Sequence, residues 1–200
     1  SLLHWDEGYE VYGPGDSLIQ GGSGSLITRL AEGLAIHYNV PVTRIAHDKD
    51  GVTVTSGGET WNADATIVTV PLGVLKADVI DFDPPLPQRK QDAIRRLGVG
   101  SLTKIIMHFD APFWPANQYV FGCLPADTPF GPTAIINMWK SHRRPILVML
   151  FGGAPGRAIE QQTQEDVQRI AMTSLRNVFG PVAREPKHIQ ITAWESDPHS

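Results

Sequence analysis

The apolar residues of this chain come in short β-branched runs, and nothing else restricts its fold as much. Residues 65–70 read ATIVTV, residues 102–109 read LTKIIMHF and residues 146–151 read ILVMLF. Runs of this length and composition are strands, and the first is so evenly apolar that it predicts a strand covered on both faces. The second alternates. Leu102, Lys104, Ile106 and His108 share one face and Thr103, Ile105, Met107 and Phe109 the other. None of these runs approaches the roughly 20 residues needed to cross a bilayer as a helix.

Between the strands lie stretches with a helical period. Ser23 or Ser25 is placed to cap a helix carrying Leu26, Leu30 and Leu34, with Ile27 and Ala31 beside them, as a core stripe. Residues 84–87 (PPLP) open a helix with Ala93, Ile94 and Leu97 on its apolar side and Gly98 at its end. Thr163 and Asp166 stand at capping-box spacing before Val167, Ile170, Ala171, Leu175, Val178 and Phe179, and Gly180-Pro181 stops that helix. Residues 42–46 and 52–55 are β-rich and flank the Asp50-Gly51 pair, a strong hairpin signal. Further strands are expected at 133–138 and 189–194, with residues 140–144 as a polar turn. Strands and helices mix without strict alternation, so the predicted class is α+β.

Composition narrows the functions. Hydrophobic residues make up 42% of the 200 and charged residues 19%, enough to bury a core. The net charge of −4 and the absence of a Lys/Arg cluster argue against nucleic acid, and no signal-peptide or spanning pattern points to a membrane. The single cysteine, Cys123, excludes an internal disulfide and fits a reducing compartment, for which the cytoplasm is the expectation. The seven histidines show no ligand spacing, so no metal is expected. Gly22 and Gly24 before a helix lack the third glycine of a dinucleotide fingerprint, since Ile27 stands there, and read as helix entry. The chain starts at Ser1 without a methionine and stops at Ser200 without a closing element, which reads as a piece of a longer protein. Spacing by itself exposes no catalytic set.

Five segments, in order, carry a resemblance. They are His4-Trp5-Asp6 with Gly21-Gly22 and residues 30–34 (LAEGL); residues 38–45 (YNVPVTRI) before Gly51-Val52; Ala63-Asp64-Ala65 leading to residues 69–76 (TVPLGVLK); residues 82–87 (FDPPLP) leading to residues 98–104 (GVGSLTK), Phe109 and Phe113-Trp114; and Thr192-Ala193-Trp194 with Ser196-Asp197-Pro198. Together they cover nearly the whole chain. It resembles the flavin-containing amine oxidases, in particular the polyamine oxidase and lysine-specific histone demethylase branch, as a central part without both FAD-binding ends.

The resemblance implies a mixed-sheet substrate domain with flanking helices, at 1–21 and 77–193, interleaved with part of an FAD-binding domain at 22–76 and 194–200. It implies oxidation of an amine, with polyamines ahead of methylated lysine: a hydride leaves the α-carbon for flavin N5, water hydrolyses the imine, and O2 reoxidises the flavin. Lys104 matches the lysine that holds a water against the flavin, where a cation suits the charge developing on the reduced ring. Val42 matches a backbone contact to adenine, Thr69, Pro71 and Leu72 border the adenosine side, and Trp194 matches an aromatic wall near the isoalloxazine. Trp5, Trp61, Trp114 and Trp139 are expected to serve packing.

The glycine-rich nucleotide unit and the glycine-glutamate pyrophosphate segment of the family have no match here, and Ser23 stands where many members carry an aromatic residue. The expectation is therefore that the 200 residues alone hold FAD weakly or not at all and do not turn over. Two other readings stay open. One is a non-catalytic binding module built on the substrate domain. The other is a different flavoprotein of the same fold, an oxidase or desaturase, against which Lys104 in its glycine-flanked setting argues. The specific amine and the oligomeric state are not legible.

Overall fold

The computed structural model describes residues 19, 21–122 and 131–199 and divides the chain into two units, Ser1–His37 and Tyr38–Ser200. His4-Trp5-Asp6 and the packing role expected of Trp5 lie outside the described residues. In the first unit, helix α1 (Ser23–Leu30) starts from Gly22 as its N-cap. Ser23 and Ser25 therefore sit inside the first turn, and the Ser25 hydroxyl donates to the Gly22 carbonyl at 2.7 Å instead of capping. The predicted leucine stripe does not make a core: Leu26, Leu30 and Leu34 are all exposed.

The second unit begins with the expected hairpin, β1 (Arg44–His47) and β2 (Val52–Ser56), paired antiparallel with Ile45 opposite Val54. Asp48 helps close the turn by accepting the Asp50 N–H at 2.8 Å. A third strand, β3 (Glu59–Ala63), continues the meander and was not anticipated. Its signal was the Gly57-Gly58 pair: φ values of 55° and 92° are those of a tight hairpin turn, which side-chain-bearing residues seldom adopt. Beyond the short helix α2 (Leu72–Lys76), strand β4 (Asp81–Asp83) lies parallel to β1 and completes a mixed sheet of order β3-β2-β1-β4. Arg44 pairs with both Asp81 and Asp83 across that junction. Ile45, Val52 and Ile80 form its small core.

The run at 65–70 is a correction. It forms no strand, residues 65–69 are exposed, and Ile67 is 87% accessible. Apolar composition makes a strand only where neighbouring backbones take up its N–H and C=O groups, and among the described residues none does so.

Helix α3 (Gln88–Arg96) follows the proline run with Pro87 as its N-cap. It ends because Leu97 turns extended, with φ −65° and ψ 136°, one residue ahead of Gly98. The main sheet comprises β5 (Leu102–His108), β6 (Val120–Gly122), β7 (Ala134–Asn137), β8 (Ile146–Gly152) and β9 (His188–Ile191). Its order is β6-β7-β8-β5-β9 and every neighbouring pair is antiparallel. The sheet at 77–193 is thus antiparallel, and the mixed one is the four-stranded sheet. The α+β class holds.

Residues 138–142 form a one-turn helix, α4 (Met138–His142), where a turn was expected. Its cap is the Asn137 side chain, which accepts the Trp139 N–H at 3.0 Å. Helices α5 (Gly153–Glu160) and α6 (Gln164–Phe179) contribute to a single core with one face of the main sheet. That face is Ile105, Met107, Leu147, Met149, Phe151 and Ile135, all fully buried against Ile159, Val167, Ala171 and Leu175. Each of these side chains larger than alanine contributes roughly 1.5–3 kcal/mol by leaving water. The N-cap half of the expected capping box forms, while the Asp166 carboxylate takes the Thr163 hydroxyl rather than the Thr163 backbone N–H. Thr163 accepts the Asp166 N–H at 3.2 Å and donates its hydroxyl to Asp166 Oδ2 at 2.8 Å. No helix among the described residues is long and apolar enough to cross a membrane.

Candidate functional site

Strand β5 sorts its side chains as a period of two requires, and this sets the position of Lys104. Thr103, Ile105 and Met107 are buried on the helix-covered face, and Lys104, Ile106 and His108 are half-buried on the other. The Lys104 backbone is held on both sides. It pairs with Leu150 of β8, and on its far edge its N–H donates to Thr192 Oγ1 at 2.9 Å while its carbonyl accepts the Thr192 N–H at 3.0 Å. A lysine stem rising from a fixed backbone on an apolar sheet face presents its ammonium at the edge of that face.

Lys104 lines a hollow of about 460 Å³ together with Pro71, Leu72, Gly73, Val99, Gly100, Ser101, Leu102, Trp194 and Glu195. Four of the six residues singled out from sequence therefore meet at one place: Lys104, Trp194, Pro71 and Leu72. They come from the strand β5, the loop after β9 and the entry of α2. Pro71 caps α2, its carbonyl accepting the Val74 N–H at 3.1 Å.

The other two do not line this hollow. Val42 is half-buried against the Ile45, Val52 and Ile80 cluster, and Thr69 is exposed in the extended segment before Pro71. A hollow of about 570 Å³ between α2, α3 and β4 contains none of the six. Its charged lining, Lys76, Asp78, Asp81 and Arg95, is exposed and partly paired elsewhere.

Trp194 is not a strand residue. β9 ends at Ile191, and Trp194 sits in a turn where its carbonyl accepts the Asp197 N–H at 3.2 Å, leaving the residue 56% exposed. An exposed indole at the rim of a concave surface is a stacking plane in search of a partner. Ser101 adds a second unmet demand. Its Oγ is buried without any hydrogen-bond partner among the described residues, and the residue lines the same hollow. No ion pair among the described residues uses the Lys104 ammonium. One cation, one orphaned hydroxyl and one bare aromatic plane thus converge.

Sequence reading missed Ser101 and Glu160. Glu160, the last residue of α5, accepts the Thr103 hydroxyl at 2.7 Å and the Trp194 N–H at 3.2 Å through Oε1, and the Glu195 N–H at 3.0 Å through Oε2. Nothing in the string Gly153-Ala154-Pro155-Gly156 announces the helix that carries it, since glycine and proline there read as a breaker. The remaining tryptophans divide. Trp114 is buried and donates Nε1–H to Asn137 Oδ1 at 2.8 Å, while Trp61 and Trp139 are half-buried.

Comparison with known proteins agrees with the resemblance. The chain is 41% identical over 201 residues to polyamine oxidase 4 of Oryza sativa subsp. japonica, covering all of this chain and 40% of that protein. It is 38% identical over 197 residues to polyamine oxidase 2 of Arabidopsis thaliana, covering 98% of this chain and 39% of the relative. A lysine-specific histone demethylase 1 homolog of Arabidopsis thaliana is 37% identical over 208 residues, with 100% and 28% coverage. The chain thus spans about 40% of the length of the polyamine oxidases it matches. Among solved structures, a wild-type putrescine oxidase bound to putrescine superposes with a TM-score of 0.74 at 23% identity, over 90% of this chain and 40% of the other, which establishes shared fold. The family model described as flavin containing amine oxidoreductase matches residues 1–200. By that match along its whole length, the chain belongs to the flavin containing amine oxidoreductases.

Proposed function

We propose that this chain forms the substrate-facing part of an FAD-dependent amine oxidase acting on polyamines, with Lys104 and Trp194 beside the reactive edge of the flavin. The observation that carries the reading is the convergence of Lys104, Trp194, Pro71 and Leu72 on one hollow of about 460 Å³. The residues there fit a flavin ring. Trp194 offers a plane, Ser101 Oγ an unsatisfied donor, Lys104 a cation for electron-rich acceptor atoms, and Pro71, Leu72, Val99 and Leu102 apolar walls. When bound, the flavin supplies a two-electron acceptor for the hydride of the amine α-carbon.

The protein's own part is positional and electrostatic. Lys104 orders a water at the ring edge, where a cation favours the electron-rich reduced state. The apolar wall excludes further solvent and strengthens that interaction. Trp194 flanks the amine and limits its approach. Val42 and Thr69, outside the hollow, are assigned to the adenosine side, with residues 22–76 and 194–200 serving the cofactor and residues 1–21 and 77–193 the substrate. For the 200 residues by themselves we propose weak flavin retention and no turnover. Among the described residues no strand–turn–helix unit with a glycine fingerprint aims backbone N–H groups at a pyrophosphate.

The test is anaerobic addition of spermine, spermidine, putrescine and a methyl-lysine peptide to the FAD-loaded gene product that carries these residues. Bleaching of the flavin by a polyamine is expected. In Lys104→Met, the flavin stays bound and its reduction or reoxidation slows by about 10²-fold, the scale of removing one preorganised electrostatic group. Unchanged kinetics would remove Lys104 from the reaction.

A further inference from the structure

We infer that Glu160 is a positioning residue for the site, fixing Trp194 and Lys104 relative to each other from the opposite face of the sheet. This rests on the reading that those two residues flank the flavin.

Three donors from two distant segments converge on this one carboxylate: the Thr103 hydroxyl at 2.7 Å, the Trp194 N–H at 3.2 Å and the Glu195 N–H at 3.0 Å. Thr103 is fully buried and directly precedes Lys104, so its side chain lies on the other face from the hollow that Lys104 lines. Glu160 does not line that hollow. Its effect on the chemistry must pass through the Thr103 side chain and the Trp194–Glu195 backbone that it holds, and so through the backbones at Lys104 and Trp194.

Those backbones need a holder to different degrees. Lys104 is already fixed by β8 and by Thr192. Trp194 lies beyond the end of β9 and has no ladder partner. Apart from Glu160, the turn is held by Asp197 N–H to Trp194 O at 3.2 Å, by the Ser196 hydroxyl to Ala193 O at 3.0 Å, and by an exposed ion pair of Arg157 with Glu195 at 3.8 Å. Exposed pairs of that kind contribute little. Hydrogen bonds to an ionised carboxylate are the stronger class, and here one carboxylate makes three. The carboxylate also selects its own replacement. Glutamine keeps an oxygen for Thr103 and Trp194 but turns an NH2 toward the Glu195 N–H, placing donor against donor.

The prediction is a graded, local loosening. Amide hydrogen exchange, read on the peptide covering residues 192–197, is expected to accelerate about tenfold in Glu160→Ala and by a smaller factor in Glu160→Gln. Exchange in β8, whose core does not involve Glu160, should stay as in the parent and certifies that the variants are folded. In the FAD-loaded gene product, Glu160→Ala should keep its flavin and lose about tenfold in kcat/KM for polyamine, carried by KM, because the displaced wall is the one against the amine. Glu160→Gln should recover part of that loss. Unchanged exchange at 192–197 in both variants overturns the clamp. Faster exchange with an unchanged KM overturns the positioning role. A parent protein whose flavin no amine bleaches overturns the oxidase reading instead, and the exchange result then still reports on the clamp by itself.

Discussion

Asn137 shows how much one side chain can hold. It is fully buried, accepts from Trp114 Nε1 and the Trp139 N–H through Oδ1, and donates Nδ2–H to the Gln118 carbonyl at 2.7 Å. Removing it strands an indole N–H and a carbonyl, each costing the desolvation of an unpaired group. Asn137→Ala is therefore expected to destabilise the chain by about 2–4 kcal/mol, measured by urea denaturation. Only its place as the cap of α4 is local; its bonds to Trp114 and Gln118, 23 and 19 positions away, leave no pattern in the sequence. Lys104 was legible for the opposite reason. Its face follows from strict alternation in β5, whereas the role proposed for it comes from the resemblance of residues 98–104 alone and from no pattern in the strand. Ser101 sits in the same segment, yet its missing partner could be seen only once its surroundings were folded.

Helix α5 depends on its contact with the sheet more than on its composition. A Cβ at Gly156 would stand 2.6 Å from the Phe151 carbonyl oxygen and 3.1 Å from Thr103 Oγ1, so the helix lies closer to β8 and β5 than any side chain permits. Gly156→Ala should cost about 1–3 kcal/mol despite alanine's better helix propensity, seen as a lowered thermal midpoint, because backbone cannot yield as a side-chain tip does. Helix α6 needs no such help and was legible throughout, from its capping box to Gly180 with φ 67°. The bonds from Arg169 and Thr163 hold the Asp166 carboxyl below its ordinary value of 3.8. A carboxyl depressed on folding favours the folded state wherever it is ionised, so this contribution is complete at neutral pH. It disappears as pH falls through the lowered value. Asp166→Asn should accordingly flatten the acid limb below about pH 3.8, followed by urea midpoints across that range.

For the whole molecule, the class and most elements could be read from periodicity, whereas the strand orders β3-β2-β1-β4 and β6-β7-β8-β5-β9 could not. Antiparallel neighbours such as β5 and β9, separated by three other strands in the chain, are chosen by global packing that no window of sequence contains. The run at 65–70 failed for the same reason, since it has the composition of a covered strand without the cover. Ile67→Lys in the 200-residue chain tests this directly. At 87% exposure the change should move the urea midpoint by no more than about 0.5 kcal/mol equivalent, against several for a strand enclosed on both sides. The alternation in β5 also restricts how this lineage can drift. Loss or gain of a single codon between those for Lys104 and Met107 would break the alternation of the strand, setting the lysine on the same face as the buried methionine, under the helices. Substitutions along this stretch can be absorbed one by one, but a change in its length cannot, and descendants of this gene should keep the lysine-to-methionine distance even where the intervening letters have changed.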